Sequence, residues 1–256
     1  MRRRGRLAIA AAGLALVALG ACGPPRAGVA PPPPARLRVL FLGNSLTVVN
    51  DLPGWVRRLA AAAPGGPAVE TALVAAGGAT LSDHWRARAP REAITRGGWT
   101  HVVIQAPSLE PLRDPEGFRA AAAHLAQAAR AAGAVPVLLA AWTPEPGHAA
   151  YAEAWSGGSP AAMLEQIRAA HAAAARASGA LLAPVGDAWA AVRARQPAVR
   201  LTAADGAHPS PAGTYAAACV IYERLAGRPA PAAPVPEGLS AADAAMVRAA
   251  ASAAGR

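Results

Sequence analysis

Short apolar runs rich in β-formers alternate with longer alanine-rich stretches at helical spacing, and this alternation constrains the fold most. The runs Arg38–Leu42, Val69–Ala75, His101–Gln105, Val135–Ala141 and Leu181–Pro184 read as strands. Three of them are nearly continuous in apolar character, as expected where helices cover both faces of a sheet. Helices are predicted at Pro53–Ala63, Ser82–Thr95, Pro115–Ala132, Pro160–Ser178, Asp187–Gln196 and Pro211–Leu225, with a closing helix at Leu239–Ala251 beyond a second proline-rich stretch. Such an order predicts an α/β fold, a three-layer α/β/α sandwich around a five-stranded parallel sheet. Ligand chemistry in such sheets lies beyond the carboxyl ends of the strands.

The first residues stand apart from that pattern. Arg2, Arg3, Arg4 and Arg6 precede an apolar run from Leu7 to Leu19, too short to span a bilayer, and Leu19-Gly20-Ala21-Cys22 follows. A basic start, a short apolar core and small residues before a cut describe a secretory signal over residues 1–21. The tetrapeptide resembles a bacterial lipobox, which implies that Cys22 is lipidated and that the protein is an extracytoplasmic, membrane-anchored lipoprotein. Residues 22–36 are proline-rich and read as a semi-rigid tether. The globular domain is expected over 37–256, with a C-terminal helical tail.

Charge narrows the partners. The chain has no lysine, so all 25 basic residues are arginine, against 15 acidic residues. Four of those arginines lie in the leader, and the rest are scattered with no basic block, which argues against a nucleic-acid surface. Apart from Cys22 the only cysteine is Cys219, within the apolar stretch Ala216–Ile221, so no disulfide framework is expected. No cysteine–histidine spacing suggests a metal site.

Two segments carry chemistry. In Val39-Leu40-Phe41-Leu42-Gly43-Asn44-Ser45 a buried strand ends at Gly43 and a serine follows, where its hydroxyl lies at the sheet's carboxyl edge near backbone N–H donors. In Asp205-Gly206-Ala207-His208-Pro209 an aspartate lies three residues before a histidine in one loop. Serine needs a base, histidine has a suitable pKa, and the base needs an acceptor on its other ring nitrogen. Pro209 keeps His208 out of the following helix. The absence of a second glycine after Ser45 argues against the Gly-x-Ser-x-Gly elbow.

Gly43-Asn44-Ser45-Leu46-Thr47 resembles the first conserved block of SGNH/GDSL hydrolases, with Asn in place of the usual Asp. Asp205-Gly206-Ala207-His208-Pro209 resembles their fifth. The strings Asn50-Asp51-Leu52-Pro53 and His208-Pro209-Ser210 followed by Gly213-Thr214-Tyr215 resemble a little-characterised bacterial branch of that superfamily. The resemblance covers most of residues 37–227 and implies a flavodoxin-like sandwich with a Ser45–His208–Asp205 triad. It implies an oxyanion hole from the N–H groups of Ser45 and Gly78, Gly78 fitting the second block better than Gly77. The third block departs from the family: Ile104-Gln105-Ala106-Pro107-Ser108 holds no Asn. The Gln105 carboxamide is the available substitute donor, or else a strand-end residue bonded to backbone.

The resemblance implies ester hydrolysis with no metal or organic cofactor, and an O-acetylated glycan or similar small ester as substrate. A lipase or lysophospholipase, an acyltransferase on the same triad, and an inactive surface binding protein are the alternatives. Trp142, Tyr151 and Trp155 could stack on a sugar or anchor their long loop, and Glu145 and His148 could touch substrate. Asp51 is expected to cap the helix at Pro53. His84, His101, His124 and His171 read as structural or surface residues.

Overall fold

The computed structural model describes residues 36–255, so the leader, Cys22 and the tether lie outside the described residues. In chain order the elements are β1 (Arg36–Gly43), α1 (Ser45–Val48), α2 (Leu52–Ala61), β2 (Ala68–Ala75), α3 (Leu81–Arg86), α4 (Arg88–Thr95), β3 (His101–Gln105), α5 (Glu110–Arg113), α6 (Pro115–Ala131), β4 (Val135–Ala140), α7 (Pro160–Ser178), β5 (Leu181–Pro184), α8 (Val185–Arg195), α9 (Pro211–Ala226) and α10 (Ala241–Ala254). All strand pairs are parallel, in the order β2-β1-β3-β4-β5. This is the three-layer α/β/α sandwich that the alternation predicts.

Side-chain alternation explains why the central strands are apolar throughout. Leu37, Val39 and Phe41 of β1 join Val103, Val137 and Leu139 in one core, which α2, α8, α9 and α10 complete. Leu40 and Leu42 join Val102, Ile104 and Leu138 in the opposite core, under α4, α6 and α7. Successive residues of a strand point to opposite faces, so a strand with helices on both sides buries every side chain. The edge strand β2 is only partly buried and carries Glu70, which pairs with Arg36 and Arg38.

The helix predicted over Ser82–Thr95 is two helices, broken at Ala87, which is extended (φ −68°, ψ 145°). Pro90 explains the break, because in an unbroken helix its ring would meet the carbonyl of Arg86 and its missing N–H would leave that carbonyl unpaired. Strand order reverses about β1, with β2 on one side and β3 on the other. The crevice above β1 and β3 is the switch point where open parallel sheets present ligand sites. Among the described residues no helix is long and apolar enough to cross a membrane.

Candidate active site

The site begins with the last residue of β1. A Cβ at Gly43 would lie 2.4 Å from Thr47 Oγ1 and 2.7 Å from Gln105 Oε1, so only glycine lets the chain turn this closely. Asn44 then caps α1: its side-chain oxygen accepts from Leu46 N–H at 3.0 Å, and its Nδ2 donates to the Ala79 carbonyl at 3.2 Å. The second bond needs an amide, because a carboxylate cannot donate. Buried His84 reaches the Gly43 carbonyl from α3 at 2.8 Å, and burial pushes its pKa down. Ser45 therefore starts a one-turn helix whose entry is tied on three sides.

The second part is the loop between Leu201 and Ser210. Ser210 N–H donates to Leu201 O and Ala203 N–H to His208 O, both at 2.8 Å, which closes the loop at its base. Gly206 takes φ +72° at the tip. Ser210 caps α9 by accepting from Gly213 N–H, with Pro211 in the first turn. Asn50, itself in the left-handed region at φ +58°, joins the two parts: its Nδ2 donates to Pro209 O at 2.9 Å and to Thr214 Oγ1 at 3.0 Å.

The geometry that results is a continuous line. Ser45 Oγ lies 2.9 Å from His208 Nε2, and His208 Nδ1 lies 2.5 Å from Asp205 Oδ2. The other Asp205 oxygen accepts from Ala207 N–H and His208 N–H, each at 3.0 Å. The Ala207 N–H first, then the bond to the His208 ring, holds the Asp205 carboxyl at about 2, below the usual carboxylate range. A charged acceptor on Nδ1 selects the tautomer that leaves Nε2 free to take a proton from Ser45.

A cavity of about 200 Å³ opens over Ser45, lined in part by Leu46, Gly78, Ser108, Arg113 and His148. The Ser45 N–H is in the first turn of α1 and has no intrahelical partner. Neither it nor the Gly78 N–H meets a backbone or side-chain acceptor among the described residues. Gly78 has φ +68° with open space where a Cβ would go, so backbone conformation, not crowding, requires glycine there. A larger hollow of about 480 Å³ beside Arg38, Leu73 and Trp99 contains no nucleophile–base pair.

Gln105 is not brought to this cavity, which corrects the expectation that its carboxamide faces an oxyanion. Its side chain is buried, with Oε1 accepting from Asn44 N–H at 3.0 Å and from Thr47 Oγ1 at 2.8 Å. Its Nε2 donates to the adjacent Ala106 carbonyl. All its capacity near the site goes into holding the turn before Ser45. Trp142 likewise cannot stack on a sugar: it is 2% exposed, stacked on Trp189 at 4.0 Å, and donates from Nε1 to Ala207 O at 2.9 Å. Glu145 is a loop anchor, accepting from Thr202 and Arg193 through its side chain and donating its N–H to Gly206 O. Asp51 caps α2 by accepting from Gly54 N–H at 2.9 Å. Cys219 is buried within α9, and burial drives its thiol pKa upward.

Two contributors to the site, Asn50 and His84, carry no local sequence signal of that role. Asn50 lies in the string Asn50-Asp51-Leu52-Pro53, but no local pattern pairs it with residues more than 150 positions away. His84 offered only the capping box around Thr80 and Asp83 as a marker of its helix.

No family model matches the chain, and no curated protein matches it. Solved structures do. A protein from Slackia heliotrinireducens, described as an SGNH hydrolase, is 38% identical with a TM-score of 0.64, over 73% of this chain and 98% of that one. A DUF4886 family protein from Bacteroides uniformis is 20% identical with a TM-score of 0.68, over 84% and 93%. A lipase/acylhydrolase from Enterococcus faecalis is 18% identical with a TM-score of 0.58, over 75% and 96%. At such identities the last two bear on the fold alone.

Proposed function

The chain belongs to the SGNH hydrolase family, and from that premise we propose that it is a serine esterase acting on small acyl esters, O-acetylated glycans first among them. The hydrogen-bonded line from Ser45 through His208 to Asp205 carries this reading. His208 Nε2 takes the proton of Ser45 Oγ as that oxygen attacks the ester carbonyl carbon. The carbonyl oxygen becomes an oxyanion facing the Ser45 and Gly78 N–H groups. Collapse expels the alcohol, which takes the proton from His208 and leaves an acyl-serine. Water then attacks with His208 as base, releasing the carboxylic acid and restoring Ser45. Asp205 stays ionised throughout and balances the imidazolium.

Cavity size supports a short acyl group. At about 200 Å³ the space over Ser45 is smaller than the roughly 300–1,000 Å³ usual for small-molecule sites, which suits acetyl better than a fatty chain. With Gln105 turned away, two backbone donors serve the oxyanion.

The reading includes export and anchoring through a lipid on Cys22, supported by the basic start, the short apolar run and the small residues before that cysteine. Replacing Cys22 with alanine should move the protein from the membrane to the soluble fraction.

A fluorophosphonate probe, from which Ser45 Oγ would displace fluoride, tests the chemistry. Labelling of the purified domain should disappear in Ser45→Ala, and p-nitrophenyl acetate should be cleaved faster than the decanoate. A folded wild type that takes no label would favour a binding protein. Faster cleavage of the decanoate would favour a lipase.

A further inference from the structure

The cavity over Ser45 holds a charge that the hydrolytic cycle does not use. Arg113 ends α5 and lines this cavity, and none of the other lining residues is acidic. Its guanidinium lies over the indole of Trp155, 5.0 Å from the ring centroid. Trp155 in turn packs on the small cluster of Ala150, Met163 and Ile167, so the arginine rests on a built support.

The acids next to Arg113 in the chain are engaged elsewhere. Asp114 accepts from Gly117 N–H at 2.9 Å as the cap of α6, and both oxygens of buried Glu110 accept from Leu81 N–H at 3.1 Å. Among the described residues no carboxylate lies within ion-pair distance of Arg113. On another wall, His148 Nδ1 accepts from Ala150 N–H at 3.1 Å, which leaves Nε2 as the hydrogen-bearing nitrogen of the neutral ring. The cavity therefore offers a guanidinium and an imidazole N–H beside apolar Leu46, Leu109 and Pro144, and none of the described residues lining it is acidic. Arg113 itself is exposed, so its charge is open to an anion arriving from solvent.

We infer that Arg113 is a specificity-determining residue that holds a negatively charged substituent of the ester, a carboxylate, sulfate or phosphate on either its acyl or its alcohol part. This inference rests on the esterase reading above. Guanidinium recognises such groups through paired charge-assisted hydrogen bonds.

The test compares matched neutral and anionic esters on wild type, Arg113→Gln and Arg113→Lys, with Ser45→Ala as background. The acyl arm sets p-nitrophenyl hydrogen glutarate against p-nitrophenyl butyrate. The alcohol arm sets 4-acetoxybenzoate against its methyl ester. In at least one arm the anionic-to-neutral ratio of kcat/KM should fall about tenfold in Arg113→Gln, mainly through KM, with partial recovery in Arg113→Lys. Added salt should lower the wild-type ratio in the same arm. The arm that responds identifies the part of the substrate bearing the charge. Ratios unchanged in both arms, while Ser45-dependent hydrolysis persists, overturn the charge inference alone. Absence of Ser45-dependent hydrolysis in the wild type overturns the esterase reading and this inference with it.

Discussion

Replacing Gln105 with leucine separates a residue that supports the nucleophile from one that binds the oxyanion. The carboxamide is 1% exposed and accepts from two groups, Asn44 N–H at 3.0 Å and the Thr47 hydroxyl at 2.8 Å. Leucine fills similar space but accepts neither, and it also strands the Ala106 carbonyl that Nε2 satisfies. Each buried polar group left unpaired costs about 1–3 kcal/mol, and the hydroxyl can rotate to recover part of its share. The expected loss is therefore about 2–5 kcal/mol. A domain of this size loses roughly 2–4 °C of Tm per kcal/mol, so the melt should drop by roughly 4–20 °C. Because the orphaned N–H belongs to the residue before Ser45, kcat should fall as well. Thermal denaturation by circular dichroism, with p-nitrophenyl acetate kinetics well below the transition, reads both effects. An oxyanion donor would behave otherwise, costing about 10²–10³ in kcat without touching the melt. An unchanged Tm beside such a kinetic loss would refute the supporting role assigned here.

Two further outcomes concern Glu110 and Asn50. The Glu110 carboxyl is raised to about 7, chiefly by burial, with Asp114 and Asp83 pushing the same way and the Leu81 N–H opposing. Its folded-state value exceeds the unfolded one of about 4.3, so its contribution is full below that pH and is lost as pH rises through about 7. The denaturant midpoint of the wild type should consequently fall between pH 5 and pH 8 by more than that of Glu110→Gln, and parallel curves would sink this account. Asn50→Ala removes both bonds from the Ser45 side to Pro209 and Thr214 and should lower kcat roughly tenfold, for a loss of about 1–2 kcal/mol in positioning. Asn50→Gly, which suits the left-handed backbone but cannot bridge, should be as slow as the alanine variant while melting higher. Normal turnover in both would show the bridge to be dispensable.

Legibility in the sequence followed the range of the forces involved. The strands could be read because a sheet covered on both faces needs apolar side chains in succession, as in Val102–Ile104 and Val137–Leu139. Helix starts at Pro115, Pro160 and Pro211 were marked by a capping side chain and a proline in the first turn. The break at Ala87 is not legible locally, because helix formers such as Arg86, Arg88, Ala89, Arg91 and Glu92 on either side mask the effect of Pro90 on the turn before it.

Residue type and local spacing by themselves determined the layered α/β architecture, the serine at the end of the first strand and the aspartate–histidine loop. Those are properties of a few neighbouring residues and of a two- or 3.6-residue period. Only the tertiary structure decided that Gln105 points into the turn, that Trp142 lies beneath Ala207, and that Asn50 ties two segments far apart in the chain. Side-chain direction at a strand end depends on register and on what packs against it, so partners distant along the chain leave no local pattern to read.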